Sequence, residues 1–216
     1  MIKRTSLFRA LVPFLSLIAV AAQGAEQIQA PVLRSGNCWK FRISSKPPSG
    51  VSFPNKPPDG TFILRLNKNI QVLEIVDEKE VPSDQRGSIL RLLGFPRQGG
   101  PQSPLLQFPL YVGKEWQYSV KYTLTHTVNV KVVSEERVVT QAGIFQTLRI
   151  ERTRQYATAN PRWGTGIVTI GGAYFYSPKT KSIVKYDTEG DDGSVASIEL
   201  LAFESSNNRQ SCWAES

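Results

Sequence analysis

Large apolar and polar residues alternate with a period of two along most of the chain. Trp116, Tyr118, Val120, Tyr122 and Leu124 interleave with Gln117, Ser119, Lys121, Thr123 and Thr125. A strand puts such a series on two faces, aromatic on one and polar on the other. Trp39, Phe41 and Ile43 repeat the pattern against Lys40, Arg42 and Ser44. Further strands are expected at 61–66, 70–76, 128–133, 137–140, 145–154, 167–176, 182–187 and 195–203, all rich in Val, Ile, Thr or aromatics. No segment shows a sustained helical period with caps. Residues 88–93 fit a short helix or another strand.

The breakers complete an antiparallel picture. Ala142-Gly143, Pro178 to Lys181 and Glu189 to Gly193 each separate two strand-like runs at hairpin spacing. Two longer connections, 46–60 and 96–104, are rich in proline, which cannot donate to a ladder. The expected fold is therefore all-β and mostly antiparallel: a strongly curved sheet, an open barrel or two packed sheets. Gly36-x-x-Trp39-x-Phe41-x-Ile43 matches Gly113-x-x-Trp116-x-Tyr118-x-Val120, and residues 75–81 parallel 132–138. If this is an internal repeat, the domain holds two related β units joining near 96–109.

The first 24 residues break the pattern. Lys3, Arg4 and Arg9 form a positive segment without an acid, an apolar run extends from Ala10 to Ala22, and small residues follow at Ala22 and Gly24. These are the parts of a cleavable secretory signal, and the apolar run is shorter than the ~20 residues a membrane span needs. Residues 1–24 are thus expected to leave a mature chain of 25–216, periplasmic or secreted, with no transmembrane segment. Cleavage after Ala21 is the alternative. Loss of three basic residues lowers the formal charge from +8 to +5. Acids and bases are evenly mixed, so the excess serves solubility more simply than binding, and nucleic acid is excluded as a partner.

Two cysteines remain, Cys38 and Cys212, one near each end of the mature chain. In an oxidising compartment such a pair reads as a disulfide. Zinc is disfavoured because His126 is the only histidine, and no Cys-x-x-Cys is present.

A run of short motifs in the C-terminal half has a counterpart elsewhere. Tyr111-Val112-Gly113-Lys114-Glu115-Trp116-Gln117-Tyr118 is followed by Gln141-Ala142-Gly143-Ile144-Phe145 and Leu148-Arg149-Ile150-Glu151. Then come Ala173-Tyr174-Phe175-Tyr176-Ser177-Pro178 and Ile183-Val184-Lys185-Tyr186. This half resembles secreted bacterial proteins of the domain-of-unknown-function 3108 type and their TapB-like relatives. The resemblance implies a periplasmic or cell-surface β protein and supplies no catalytic residues. Where those proteins often carry a tryptophan before the Tyr-x-Pro, this chain has Phe175.

Candidate chemistry is sparse. His126 sits where two strands meet, a place that suggests a surface residue, and no Gly-x-Ser-x-Gly elbow accompanies it. Asp77, Glu78, Glu80, Glu135 and Glu136 lie among lysines and arginines and read as solvated strand ends. Residues 187–193 begin like a calcium loop. Asp192 stands where glycine belongs, however, and Ile198 where a bidentate acid belongs. An acidic hairpin tip explains them better, and no metal or cofactor is expected. Arg149, Arg152, Arg154, Tyr156, Arg162 and Trp163 form the one candidate site, for an anion or a sugar. Arg149 and Arg152 fall on opposite faces of their strand, so the six are not one patch. The expected function is non-catalytic binding of an envelope partner, whether protein, lipid or anionic polymer. A carboxylate-dependent hydrolase of envelope polymers and a structural subunit of an envelope assembly are the alternatives.

Overall fold

Among the described residues, which do not include 70–71 or 122–124, strands form where the two-residue alternation is sustained. The computed structural model describes residues 26–46, 60–69, 72–76, 79–82, 105–121, 125–160, 164–191 and 193–205. Among them are ten strands: β1 (Asn37–Lys46), β2 (Gly60–Leu66), β3 (Val72–Val76), β4 (Lys79–Pro82), β5 (Glu115–Lys121), β6 (Thr125–Thr140), β7 (Gly143–Asn160), β8 (Gly164–Ser177), β9 (Ser182–Gly190) and β10 (Val195–Ser205). All belong to one sheet in the order β4-β3-β2-β1-β10-β9-β8-β7-β6-β5, and every neighbouring pair is antiparallel. Of the three expected architectures, the single sheet is the one adopted. No pairing among the described residues joins β4 to β5, so the sheet does not close into a barrel. Residues 1–24, the proline-rich runs at 47–59 and 96–104, residues 88–93, Arg162, Trp163 and Cys212 lie outside the described residues.

The sheet rolls so that one face becomes an interior. Ala142, in the turn after β6, donates its N–H to the Leu200 carbonyl of β10 at 3.3 Å. Beside it Gln141 N–H donates to Glu199 Oε1 at 2.9 Å, and Arg42 of β1 donates to Gln141 Oε1 at 3.1 Å. Four strand spacings separate β6 from β10, about 19 Å if the sheet were flat. Curvature alone can bring that turn onto β10. Trp39, Phe41, Leu64, Ile150, Tyr174 and Leu200, none with any measurable exposure, show what the inner face buries. At the end carrying the β6–β7 and β8–β9 turns, Leu105, Leu106 and Leu110 close the interior. Ile28 and Leu110 hold that plug by exchanging two backbone hydrogen bonds of 2.8 Å.

Two details depart from the sequence expectations. The runs at 128–133 and 137–140 belong to one long strand, β6, because a bulge between Val132 and Ser134 absorbs the break in alternation. The charged stretch around Glu80 falls in the short strand β4, at one end of the sheet order. The first repeat motif occupies equivalent places. Gly36 and Gly113 both have positive φ, 87° and 93°, at the turn before a strand. Their N–H groups donate to Leu66 and Val132, each two residues past the partner of the tryptophan. The second motif does not follow suit, since 75–81 spans β3 and β4 whereas 132–138 lies within β6.

Gly172 of β8 shows how tightly the inner face is packed. A Cβ there would clash with Thr188 Cγ2 and stand 2.9 Å from the Asp187 carbonyl oxygen. Gly172→Ala is therefore expected to cost about 1–3 kcal/mol, the range for overpacking a core. Urea unfolding would read it as a lower midpoint at unchanged slope, and an unaltered midpoint would show that β8 and β9 can part.

Candidate functional site

Strand β7 carries arginines on both faces. Arg149 points outward, its Nη1 3.5 Å from Glu136 Oε1 and its Nη2 3.1 Å from Glu151 Oε1. Two carboxylates answer its charge. Arg152, Arg154 and Tyr156 follow Ile150 on the inner face, where every second residue points into the roll. Arg152 lies between Val130 of β6 and Gly172 of β8, and Arg154 between Val128 and Ile170. Charged side chains thus occupy positions whose strand parity belongs to the core.

Tyrosines, not acids, solvate these two guanidiniums. Arg152 donates from Nη1 to the Tyr174 hydroxyl at 3.1 Å, and the Tyr118 phenol is a second neighbour of its guanidinium. Arg154 lies over the Tyr156 ring, 5.6 Å from its centroid, a cation–π contact worth about 0.5–2 kcal/mol. Tyr156 in turn stacks on His126, with centroids 4.5 Å apart and planes at 28°. Among the described residues no carboxylate lies within ion-pair distance of Arg152 or Arg154, and the Nε of each is buried without a hydrogen-bond partner. Removing a cation from water costs several kcal/mol unless an opposite charge compensates.

The neighbouring groups respond to this field and to burial. Burial, then the adjacent Tyr186, pushes the Tyr174 phenol well above its ordinary value, so it stays a neutral hydroxyl that can accept from Arg152. The Tyr174 and Tyr186 rings lie 4.3 Å apart, and Tyr186 donates to Thr188 Oγ1 at 3.0 Å. His126 is 8% exposed, which corrects the surface position expected for it: the β6 alternation turns it inward beside Tyr156. Burial and then the charges of Arg154 and Arg152 lower its pKa. What the cluster can do is hold an anion: two guanidiniums one pleat repeat apart, about 7 Å, share a face.

No family model matches the chain, and no curated protein matches it. Solved structures similar to it include the following three. A candidate lipoprotein from Parabacteroides distasonis ATCC 8503 has a TM-score of 0.41 and 10% identity, with 83% of this chain and 100% of that one covered. A candidate exported protein with YmcC-like fold from Bacteroides fragilis NCTC 9343 has a TM-score of 0.38 and 13% identity, covering 83% and 100%. The hypothetical lipoprotein YmcC from Escherichia coli (K12) has a TM-score of 0.35 and 7% identity, covering 80% and 86%.

On the outer face, β7 to β10 frame an open trough of ≈ 560 Å³ lined by Arg149, Glu151, Thr153, Asp187, Glu189 and Ser197 among others. Gly171 forms its floor, with nothing within 4 Å of where a Cβ would stand. Glu151 is tied to Arg149, and Asp187 to Lys185 at 3.3 Å. The acidic run expected to form a hairpin tip is mostly strand: Asp187 and Glu189 belong to β9, and Asp191 in the turn accepts from Thr169 N–H at 2.9 Å. The described residues hold no group of three or more His, Cys, Asp or Glu side chains fit for a metal ion. No helix among them is long and apolar enough to cross a membrane. Sequence reasoning missed Tyr118, Tyr174, Tyr186 and His126 as members of the inner cluster. One signal was available: Arg152-x-Arg154-x-Tyr156 continues the parity of Ile150, which marks these charges as inward-facing.

Proposed function

We propose that this is an exported, non-catalytic β protein that holds an anionic group of an envelope ligand or partner between Arg152 and Arg154. In this reading residues 1–24 are removed as a signal, and the mature chain works in the periplasm or outside the cell. Membership of the domain-of-unknown-function 3108 family rests on the motifs between Tyr111 and Tyr186 and fits the same setting. The observation that carries the reading is the pair of inward-facing guanidiniums with no acid beside them among the described residues. A bound phosphate, sulfate or carboxylate supplies the missing charge, whether it belongs to a lipid, a polymer or a partner protein.

Calorimetric titration of the mature chain with inorganic sulfate tests this. Arg154→Gln is expected to weaken binding about 10–100-fold, because a charge-assisted hydrogen bond is worth about 1.5–3 kcal/mol. Arg137→Gln, which removes an exposed charge on β6, controls for net charge and should leave the affinity as it was. Equal affinities for all three proteins would refute the site.

The hydrolase alternative draws on the outer trough, which gathers Glu151, Asp187 and Glu189. A general acid needs a proton-bearing carboxyl in an apolar setting. Glu151 and Asp187 are exposed and already ion-paired, so binding is the better reading.

A further inference from the structure

Four large apolar residues among the described ones are more than half exposed, and three of them stand at one end of the roll. They are Val32, Val139 and Ile144, exposed by 71%, 72% and 55%. Val139 and Ile144 face each other across the β6–β7 hairpin, next to its closing pair Thr140–Gly143. Val32 lies by the β8–β9 turn, where Lys181 donates from Nζ to its carbonyl at 2.7 Å. Antiparallel pairing brings those two turns to the same end. We infer that this end is a docking surface for an anionic lipid bilayer. The surface is separate from the anion site inside the roll and does not depend on it.

Each exposed apolar residue has a cation for company. Arg137 precedes Val139 by two residues, and both are exposed on the same face of β6. Lys179 holds its Nζ 5.7 Å from the centroid of the Phe145 ring, beside Ile144 in the chain. Lys181 is bonded to Val32, and Arg34 is exposed two residues further on. None of these four cations forms an ion pair with a described acid. Against them stand the exposed carboxylates of Glu26 and Glu135. Glu136 and Glu199 are already paired, with Arg149 and Arg42. The balance is positive.

That combination selects the occupant. Exposed apolar groups favour any nonpolar partner, whereas neighbouring lysines and arginines favour one with negative charge. A bilayer with anionic headgroups offers both, since apolar side chains enter the headgroup boundary while cations stay among the phosphates. The residues come from two separate turns and from the segment before β1, and a flat charged surface can meet all of them at once. The hairpin is also fixed in advance. Ala142 and Gln141 in its turn are hydrogen-bonded to Leu200 and Glu199 of β10, so Val139 and Ile144 lose little freedom on contact.

Cosedimentation of the mature chain with vesicles tests this. Phosphatidylcholine vesicles containing about one-third phosphatidylglycerol should retain it, pure phosphatidylcholine vesicles far less, and high salt should release it. Val139→Thr combined with Ile144→Thr keeps β-branched residues in both strands, and Lys179→Glu reverses one charge. Each variant is expected to weaken binding about tenfold. Ile167→Thr and Lys46→Glu alter exposed residues at the opposite end of the strands and should bind as the wild type does. Failure of the wild type to bind the anionic vesicles would overturn the inference. Losses in the opposite-end variants as large as those at the turns would do the same. A dimer broken by the threonine pair, with no vesicle binding, would assign the patch to a second copy instead. Sulfate binding by Arg152 and Arg154 is measured separately and stands or falls on its own.

Discussion

Trp39→Ala is expected to lower the stability of the mature chain by about 5 kcal/mol. Trp39 is fully buried at the start of β1, 5.8 Å from the Phe203 ring, and donates from Nε1 to the Thr180 carbonyl at 2.8 Å. Truncating a buried tryptophan costs about 3–5 kcal/mol in lost burial and cavity formation. Leaving the Thr180 carbonyl without its donor inside the protein adds about 1–3 kcal/mol. Domains of this kind are stable by only about 5–15 kcal/mol, so the variant should sit near its unfolding threshold at room temperature. Trp39→Phe separates the two contributions, keeping most of the ring and losing the hydrogen bond. Chemical denaturation of both variants would measure them, and a loss under about 2 kcal/mol for alanine would show that the indole does not anchor the fold. The bond also matters for the site, because it ties β1 to the turn joining β8 and β9. Those strands present Tyr174 and Tyr186 to Arg152.

Strand positions were legible because burial acts on alternate residues. Trp39, Phe41 and Ile43 point into the roll and Arg42 and Ser44 out of it, as their spacing requires. Hairpins were legible for a related reason. Gly143 adopts φ 126° at the start of β7, a conformation that side-chain-bearing residues resist. Sheet order was another matter. β1 pairs with β10, more than 150 residues away at Asn37 and Ser205, and alternation says nothing about which edge meets which. The bulge in β6 was also hidden, since one extra residue looks like the end of one strand and the start of another.

The site was half legible, and the split has a physical cause. Local parity separates Arg149 from Arg152, and the structure places them outward and inward accordingly. Partners come from other strands, and strand order is what chooses them. Tyr118 reaches Arg152 across β6, and Tyr174 from β8. The sequence suggests a surface position for His126 because Thr125-His126-Thr127 falls where two strands meet. Those residues instead belong to β6, whose alternation turns the ring inward. The trough followed the same logic, since Glu151 and Asp187 share a wall region only because β7, β8 and β9 lie side by side.

Loss of the Cys38–Cys212 disulfide that we propose should have an effect as large as that of the tryptophan. The two cysteines are 174 positions apart, and closing a loop of that length stabilises by about 5 kcal/mol in the chain-entropy view. Fold topology lowers the strain such a link would impose. Cys38 is fully buried and pairs with Glu204 across the β1–β10 ladder, so the chain leaves β10 beside it. Only eight positions separate Glu204 from Cys212, and that length of chain reaches over about 25 Å. A return to Cys38 therefore asks little of the backbone. Cys212→Ser removes the link without disturbing the buried position. For a chain of this size it should lower the melting temperature by about 10–20 °C, at roughly 2–4 °C per kcal/mol. Reduction of the wild type should reproduce the loss and leave the variant unchanged. Equal melting temperatures with and without reductant, together with two alkylatable thiols in exported protein, would dispose of the bond. Co-migration of reduced wild type and variant would instead tie β1 and the C-terminal residues into one covalent frame around the sheet.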